Sequence, residues 1–331
     1  MTNILYGLDL TDDVKTALSS CALTVTDENV KRLYPELTEN AFVLPSGEKA
    51  KTPEILFFVL EEMNRRELTR RDAVAAIGGG AIGDVTGLAA ALYMRGIQWV
   101  NIPTTLLSMA DAGIGGKTAV DLFGVKNLIG AFHAPSQTVI SFKFTKTLGD
   151  REWLCGIGEI VKTCLLTDKS FDMLCDSVDS LKNRDESGIY KLVEKCIEIK
   201  NAVVTADPKE NGLRKILNIG HTVGHALESF DNYRLSHGEY VFKGMMAECA
   251  MCKDLIDEEY YGQLMGIFRA FVDPPKSSAK AVYKYALKDK KNSNGYINVM
   301  LPASRGKVLD VMIEQGDFIS RYDNALKELK S

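Results

Sequence analysis

The sequence predicts an α/β Rossmann-like domain followed by a mostly α-helical domain. Up to about residue 150, short apolar runs alternate with helical stretches, and a glycine-rich turn follows one of the runs. Beyond that point, segments with the helical period dominate. Alternation of strands and helices is typical of a parallel sheet that is covered on both faces. Small-molecule sites favour clefts between domains, so we expect the active site in the cleft between these two.

Five strands and two helices are predicted in the first domain, residues 1–150. The strands are CALTVTD (21–27), ENAFVLP (39–45), DAVAAIGGG (72–80), GIQWVNIP (96–103) and QTVISF (137–142). The helices span 52–68 and 85–94, where apolar residues recur at helical spacing. The second domain, residues 151–331, contains six segments of helical period and one candidate strand, YINVML, at 296–301.

Composition excludes several classes of protein. The chain has 331 residues, of which 46% are hydrophobic, so it can bury a substantial core. Its net charge of −4 argues against a nucleic-acid partner. No run reaches the roughly 18 apolar residues of a membrane span, and the N-terminus lacks signal-peptide features. Seven cysteines without regular spacing indicate reduced thiols, and hence a cytoplasmic protein. Cys249 and Cys252 are expected to pack in the core.

A glycine loop lies at a predicted strand-to-helix junction. Gly78, Gly80 and Gly83 form a G-x-G-x-x-G pattern, which lets the backbone turn sharply and approach a pyrophosphate. The strand that follows does not end in the acidic residue that ordinarily binds the ribose, and Asp84 instead follows the glycines directly. We therefore predict dinucleotide binding with a non-standard ribose contact.

A second glycine-rich stretch, residues 103–135, is predicted as a long loop. Loops of this length inside a compact domain are usually functional, although a surface loop with solvated lysines is the simpler interpretation. Lysines among glycines suit the recognition of a phosphate or a carboxylate. The polar residues of this stretch are Thr104, Thr105, Asp111, Lys117, Lys126 and Asn127.

Three of the four histidines lie within seventeen residues. His221 and His225 are one helical turn apart, and His237 follows a predicted turn that could bring it back to them. Catalytic zinc typically has three protein ligands and an open position, and Glu159, among apolar neighbours, could complete the set. Spacing alone leaves both His221/His225 and His221/His237 open as ligand pairs.

Helical spacing extends this pattern towards the N-terminus. Arg214, Asn218, His221 and His225 are separated by four, three and four residues, so one helix face could carry all of them. A cation, an amide and two imidazoles on one face would suit the wall of an anionic-substrate pocket. For Arg214 alone, a solvated amphipathic face is the better interpretation.

Six segments together resemble 3-dehydroquinate synthase, a family of zinc- and NAD-dependent cyclases of the shikimate pathway. They are GGGAIGDVTGLAAALYMRG, PTTLLSMADAGIGGKTAV, GVKNLIGAFHAP, GEIVK, LNIGHTVGHALE and HGEYVFKGM. The resemblance extends from TDENV near residue 27 to KDKKNSNGYINVML at 288–301, so it covers nearly the whole chain. It implies a homodimer.

The resemblance also implies residue roles. The metal ligands would be Glu159, His221 and His237, which would hold zinc, cobalt or another divalent metal. The residues that would bind NAD are Asp27, Asn29, Glu48, Lys51, Gly79, Gly80, Asp84, Thr104, Thr105, Lys126, Phe144 and Thr147. The residues of the substrate pocket would be Asp111, Lys117, Asn127, Lys162, Lys200, Glu210, Arg214, Asn218, His225, Lys290 or Lys291, and Arg95 from a partner subunit.

The activity implied is the conversion of 3-deoxy-D-arabino-heptulosonate 7-phosphate to 3-dehydroquinate and phosphate. NAD oxidises a ring hydroxyl, phosphate leaves by elimination, NADH returns the hydride, and an intramolecular aldol reaction closes the new ring. Zinc acts as a Lewis acid on the hydroxyl that is oxidised. The substrate phosphate serves as the base, which explains why no single base stands out in the sequence.

Two departures from the family pattern concern Asp121 and the N-terminus. Asp121 stands where asparagine is commonest, and its charge would lower the affinity for an anionic substrate unless a lysine neutralises it. The segment before TDENV is short, which puts the edge of the first sheet in doubt.

Three alternative functions remain. Other sugar-phosphate cyclases use substrates without the carboxylate, and Lys200, Arg214 and the intact GGK at 115–117 argue against them. A polyol dehydrogenase of the glycerol dehydrogenase type would produce net NADH and has no use for so many cations. An inactive scaffold protein would not need to retain every expected ligand residue, and this sequence retains them all.

Overall fold

The computed structural model describes residues 2–210, 212–287 and 295–330. The chain divides into two compact units, Met1–Gly149 and Asp150–Ser331. The first is Rossmann-like and the second is mostly helical, as the sequence predicts.

The first unit is built on a parallel sheet. The strands of this unit are β1 (Asn3–Gly7), β2 (Leu23–Asp27), β3 (Phe42–Leu44), β4 (Ala73–Gly78), β5 (Gln98–Pro103), β6 (Lys117–Leu122), β7 (Val125–Phe132) and β8 (Gln137–Ser141). Its helices are α1 (Thr11–Ser19), α2 (Glu28–Leu33), α3 (Pro53–Arg65) and α4 (Gly80–Leu92). Six strands form the sheet in the order β1-β8-β5-β4-β2-β3, and every neighbouring pair is parallel. The five predicted strands are all present.

The core of the first unit explains the apolar run of β4. Val74, Ala75, Ala76 and Ile77 are all completely buried, because β4 lies in the middle of a sheet that is covered on both faces. One face packs against α3 and α4, where Val59, Met63 and Val85 are buried. β1 pairs with β8 at the sheet edge, so the short N-terminal segment does contribute an edge strand.

The prediction of one long loop over residues 103–135 is wrong. β6 and β7 form an antiparallel hairpin within it, and a π-helical turn over Ser108–Ala112 precedes them. The hairpin packs against α4, where a Cβ atom added to Gly87 would lie 2.5 Å from Cγ2 of Thr118. Glycine at that position therefore permits the close packing.

The second unit consists mainly of helices. They are α5 (Asp150–Cys164), α6 (Asp168–Asn183), α7 (Glu186–Ala206), α8 (His221–Phe230), α9 (His237–Met251), α10 (Glu258–Arg269), α11 (Ala279–Ala286) and α12 (Gln315–Lys330). The candidate strand at YINVML belongs to an antiparallel hairpin of β9 (Tyr296–Ser304) and β10 (Lys307–Glu314). The sequence analysis does not predict β10.

Helix α9 forms the centre of the second unit. It packs against α5, α8, α10 and α12, and most of its residues are buried. Cys249 and Cys252 are free thiols, both fully buried, in agreement with the core packing predicted for them. Within the described residues, no helix combines the length and apolar character that crossing a membrane requires.

Candidate active site

The glycine loop joins β4 to α4 at the carboxyl end of β4. Gly79 is the extended N-cap residue of α4, and Gly80 is its first residue. A Cβ atom added to Gly79 would lie 3.1 Å from Cγ2 of Thr105, and one added to Gly80 would lie 3.5 Å from Cβ of Ala112. The glycines therefore let the next loop approach the amino end of α4, where backbone N–H groups favour a phosphate.

This loop lies at the topological switch point of the sheet, between β4 and β2. In the sheet order, β2 connects to β3 on one side and β4 connects to β5 on the other. Ligands of open α/β sheets bind at the carboxyl ends of the strands at such a point. Asp27 ends β2 here, and its Oδ1 accepts hydrogen bonds from the N–H groups of Asn29 and Val30 at 2.8 and 3.0 Å. The topology and the glycine loop together fit a dinucleotide.

Lys51 is the centre of a charged cluster in the first unit. Its Nζ donates to Oδ2 of Asp84 at 2.6 Å and to Oδ1 of Asn127 at 2.5 Å. Burial raises the pKa of Asp84 to about 6, although Lys51 opposes this shift. Burial alone would lower the pKa of Lys51, but Asp84 and Glu48 raise it. Nζ of Lys126 lies 3.9 Å from Oε2 of Glu48, so five predicted residues lie in one neighbourhood.

Tyr34 connects two further residues that are predicted to bind NAD. Its ring packs edge-to-face on Phe144 with centroids 4.9 Å apart, and its hydroxyl lies 2.9 Å from Oγ1 of Thr147. The sequence analysis did not single out Tyr34. Tyr34 follows α2 and belongs to no recognisable sequence motif. Its contact with the segment after β8 is therefore visible only in the fold.

The segment after β5 carries three more predicted residues. The N–H of Thr104 donates to the carbonyl oxygen of Gly78 at 2.9 Å, which ties the ends of β4 and β5 together. Oγ1 of Thr105 lies 2.8 Å from Oγ of Ser108. Asp111 lies in the π-helical turn that follows, and such turns are frequent at functional sites.

Lys117 and Arg95 lie at opposite ends of the α4 region. Lys117, Gly79, Gly83 and Asp84 line one small pocket, which brings the two glycine-rich stretches together. Arg95 is exposed and has a φ of 69°, just after α4.

Three histidines and a glutamate come together in the second unit. Glu159 lies in α5, His221 and His225 in α8, and His237 begins α9. One ring nitrogen of each histidine lies within 4.8 Å of those of the other two. Oε1 of Glu159 lies 3.5 Å from Nε2 of His221 and 3.3 Å from Nε2 of His237. The three histidines therefore lie together, and of the two pairs left open by the spacing, His221 and His237 are the pair whose Nε2 atoms lie beside the carboxylate.

Hydrogen bonds to the other ring nitrogens orient two of these histidines. Nδ1 of His221 lies 3.0 Å from the carbonyl oxygen of Ile219, and Nδ1 of His237 lies 3.3 Å from Oε2 of Glu228. A proton on each Nδ1 can donate to these oxygens, and loss of any proton from Nε2 would then free its lone pair for a metal. A neutral imidazole in this tautomer is a common metal ligand.

Glu159 is ionised although it is only 1% exposed. Burial alone would raise its pKa, but Lys162, which contacts Oε2, His221 and His237 hold the pKa well below its ordinary value. Burial lowers the pKa of His221. Burial also acts on His237, but the carboxylates of Glu159 and Glu228 raise its pKa to about 10.

The donor set fits a divalent metal. Neither carboxylate oxygen of Glu159 makes a hydrogen bond of good geometry with any described residue. Lys162 contacts Oε2 of this buried carboxylate, while Oε1 faces the Nε2 atoms of His221 and His237. A carboxylate oxygen and imidazole nitrogens that converge in this way are ligands of the kind that zinc binds.

Glycines beside the candidate ligands let their helices cross closely. A Cβ atom added to Gly158 would lie 2.4 Å from the carbonyl oxygen of Gly238, where α5 meets α9. One added to Gly244 would lie 1.9 Å from the carbonyl oxygen of Gly220, where α9 meets the start of α8. Since Gly158, Gly238 and Gly220 are each the sequence neighbour of a candidate ligand, these crossings hold the ligands together.

The prediction of one helical face from Arg214 to His225 is wrong. Leu213–Asn218 forms a 3-10 helix, and α8 begins only at His221. Gly220 between them has a φ of 74°, a left-handed conformation that interrupts a helix. Arg214 and Asn218 therefore lie on a separate element from the histidines.

The other predicted substrate residues of the second unit lie on the elements that lead to α8. Lys200 is buried in α7. Arg214 is also buried, and its Nη1 donates to the carbonyl oxygen of Pro208 at 3.0 Å. Nδ2 of Asn218 donates to Oε1 of Glu210 at 3.1 Å. Lys290 and Lys291 lie outside the described residues.

Comparison with known proteins identifies the family. The family model for the 3-dehydroquinate synthase N-terminal domain matches residues 41–155, and the model for the C-terminal domain matches residues 156–292. The chain belongs to the 3-dehydroquinate synthase family. A 3-dehydroquinate synthase of Alkaliphilus metalliredigens is 38% identical over 91% of this chain and 89% of the relative. One from Ruminiclostridium cellulolyticum is 37% identical over 96% of this chain and 94% of the relative.

Solved structures of related cyclases resemble this member of the family. 2-epi-5-epi-valiolone synthase from Streptomyces hygroscopicus, solved with NAD+ and Zn2+ bound, is 28% identical. Its TM-score is 0.88, and the match covers 100% of this chain and 97% of that one. A 2-deoxy-scyllo-inosose synthase, complexed with carbaglucose-6-phosphate, NAD+ and Co2+, has a TM-score of 0.85 at 23% identity over 97% and 96% of the chains, which supports the fold.

Proposed function

We propose that this protein is a 3-dehydroquinate synthase that uses NAD and a divalent metal, zinc or cobalt. It converts 3-deoxy-D-arabino-heptulosonate 7-phosphate to 3-dehydroquinate and phosphate, and so acts as a lyase in aromatic amino-acid biosynthesis. The observation that carries the proposal is the second unit's arrangement. There, Glu159 and three imidazoles meet, and buried Lys200 and Arg214 lie on the elements leading to them.

The first unit is the NAD-binding domain in this proposal. The amino end of α4 holds the pyrophosphate, Asp27 at the end of β2 faces the ribose, and Lys51 with Asp84 supports the cofactor. Phe144 and Thr147, which follow β8 and contact Tyr34, form another wall of the NAD site.

The second unit is the metal- and substrate-binding domain. A bound metal would supply Lewis-acid polarisation of the hydroxyl that is oxidised, and bound NAD would supply a reversible hydride acceptor. Glu159, His221 and His237 hold the metal, and His225 faces the substrate. The substrate brings a phosphate and a carboxylate, so it needs several cations. Lys200 and Arg214 bind the carboxylate, while Asn218 and His225 bind the phosphate.

We also propose a homodimer, assembled through the β6–β7 hairpin. Among the described residues, β7 pairs only with β6, so its other edge can accept a strand. The hairpin also exposes large apolar side chains, among them Phe123, Leu128, Ile129 and Phe132. Several exposed large apolar side chains on one hairpin are typical of an interaction site. In the dimer, Arg95 of one subunit reaches the substrate phosphate of the other.

A cytoplasmic location is proposed from the cysteines. All seven are free thiols, which is typical of proteins from a reducing compartment.

A second candidate function is another sugar-phosphate cyclase. The observation in its favour is the 28% identity and the TM-score of 0.88 with 2-epi-5-epi-valiolone synthase. Lys200 and Arg214 favour the first proposal, because two buried cations on the elements that lead to the histidines suit a substrate that carries a carboxylate as well as a phosphate.

The deciding experiment uses the full chain loaded with zinc. It is incubated with the heptulosonate phosphate and a catalytic amount of NAD, and phosphate, dehydroquinate and NADH are followed together. We expect equal amounts of phosphate and dehydroquinate without accumulation of NADH. Net NADH formation, or no phosphate release from protein that binds both zinc and NAD, contradicts the proposal.

A matched pair of histidine variants controls the assay. We expect His237→Ala to lose at least about a hundredfold in rate, because the metal loses a ligand. His133→Ala serves as the control, since His133 lies outside the cluster and contacts the carbonyl oxygen of Ile97. We expect it to stay within about twofold of the wild type, as is usual for changes away from a site. Neutral sugar phosphates, tested on the same protein, distinguish the second candidate.

A further inference from the structure

Two buried carboxylates lie around the histidine cluster but outside the proposed ligand set. Glu228 is 6% exposed and Glu248 is 1% exposed. A carboxyl group at such depth is costly unless specific contacts satisfy it. Both glutamates contact the elements that carry the histidines.

Glu228 acts on the ring of His237. It lies in α8, three residues after His225, and its Oε2 is 3.3 Å from Nδ1 of His237 at the start of α9. A hydrogen bond there fixes both the tautomer and the orientation of the ring. This single contact links a histidine of one helix to the helix that carries the other two.

Glu248 acts on the first turn of α8. The N-cap residue of α8 is Gly220, which has no side chain to accept the free N–H groups of the helix. Glu248, from α9, replaces the cap: Oε2 accepts the N–H of Gly220 at 2.9 Å, and Oε1 accepts that of Val223 at 2.8 Å. Because His221 lies between these two residues, Glu248 fixes its backbone relative to α9.

We propose that Glu228 and Glu248 are positioning residues of the metal centre, Glu228 through the ring of His237 and Glu248 through the first turn of α8. The inference rests on the proposed metal site. Neither residue needs to touch the metal or the substrate. Together they tie α8 to α9, so that the three imidazoles keep their places before a metal binds.

The test measures metal binding by the full chain, without substrate. Zinc affinity is determined by competition with a chelator, and the visible spectrum of the cobalt-loaded protein reports the geometry of the ligands. We expect Glu228→Ala and Glu248→Ala each to weaken zinc binding by about 10- to 100-fold and to change the cobalt spectrum. We expect Glu228→Gln, whose amide oxygen still accepts from Nδ1, to restore the affinity to within about threefold of the wild type.

A control and a second variant complete the test. Glu198→Ala removes an exposed carboxylate from α7 of the same unit and should leave zinc affinity unchanged. If Glu248→Ala does not fold, Glu248→Gln is measured instead. It retains one acceptor, so we expect an affinity between those of the wild type and Glu228→Ala.

The outcomes separate this inference from the proposed reaction. Unchanged zinc affinity and cobalt spectrum in the glutamate variants, even with a lower melting temperature, overturn the inference and leave a purely structural role. Wild-type protein that binds zinc but releases no phosphate overturns only the proposed reaction. Wild-type protein that binds no divalent metal overturns both.

Discussion

Asp121 fixes the hairpin segment that carries Asn127. Its Oδ1 accepts the N–H of Asn127 at 2.7 Å, and its own N–H donates to the carbonyl oxygen of Lys51 at 2.8 Å. Asn127 has a φ of 53°, a left-handed conformation that asparagine adopts more readily than most residues other than glycine. The negative charge of Asp121 also contributes to raising the pKa of Lys51. The charge of Asp121 is therefore balanced in part by a nearby lysine.

We expect Asp121→Ala to weaken NAD binding about fivefold to tenfold. The variant removes a hydrogen bond worth about 1 kcal/mol, and it releases Asn127, whose side chain accepts from Lys51. The dissociation constant of NAD is measured by isothermal titration calorimetry on the full chain.

Asp121→Asn is the control for the Asp121 prediction. It retains an acceptor at the same place and removes only the charge, so we expect NAD affinity within about threefold of the wild type. Equal NAD affinity in the alanine variant and the wild type contradicts a positional role for Asp121.

At the residue scale, the sequence predicted the groups with distinctive chemistry. Histidines are rare in this chain and glycine loops have a recognisable spacing, so His221, His237 and Gly80 stand out. Glu228, Glu248 and Tyr34 did not, because their roles depend on partners from other elements. Among these three, only Glu228 could have been found from the sequence, because helical spacing places it on the same face as His225, one turn away.

At the element scale, the crossing of α8 and α9 depends on glycines. A Cβ atom on Gly244 would lie 1.9 Å from the carbonyl oxygen of Gly220 and 2.7 Å from the backbone nitrogen of Gly224. Backbone atoms cannot move aside as the end of a flexible side chain can. The two helices would therefore have to separate.

We expect Gly244→Ala to lower the free energy of unfolding by about 2 kcal/mol or more and to weaken zinc binding. Overpacking at this crossing displaces the helices that carry the histidines. Urea unfolding and chelator competition measure the two effects.

Gly262→Ala is the matched control for the glycine prediction. Gly262 lies within α10, and a Cβ atom there would meet no atom within 4 Å. Because alanine favours helix over glycine, we expect a gain of up to about 1 kcal/mol and unchanged zinc affinity. A Gly244→Ala protein as stable as the wild type contradicts the steric argument.

The β6–β7 hairpin was not predicted from the sequence because its turn lacks the usual residues. Its turn has Phe123 at a φ of 54° and Gly124 at a φ of 72°. Tight hairpin turns with two positive φ values usually carry Asn-Gly, and a phenylalanine at the first position hides that signal. The parallel strands, in contrast, were predictable because burial on both faces requires continuous apolar runs.

At the scale of the whole molecule, the proposed dimer predicts an effect of the hairpin on assembly. We expect the wild type to sediment as a dimer and Phe132→Glu to sediment as a monomer. A charge at this position, where the wild-type side chain is 57% exposed, opposes burial in an interface. Sedimentation velocity of both proteins measures the change.

Phe57→Glu is the matched control for assembly. Phe57 is 62% exposed on α3 and belongs to neither strand of the hairpin, so we expect its variant to remain dimeric. A monomeric wild type, or a dimeric Phe132→Glu variant, contradicts assembly through this hairpin.

The sequence by itself determined the fold class, the glycine loop and the histidines, because periodicity, glycine spacing and rare residues are local properties of the chain. Only the tertiary structure decided how α5, α8 and α9 bring Glu159 to His221 and His237. It alone also revealed that Gly220 ends the predicted helical face and that Glu228 and Glu248 lie around the cluster. These contacts join residues far apart in sequence, and close helix packing, rather than local preference, creates them.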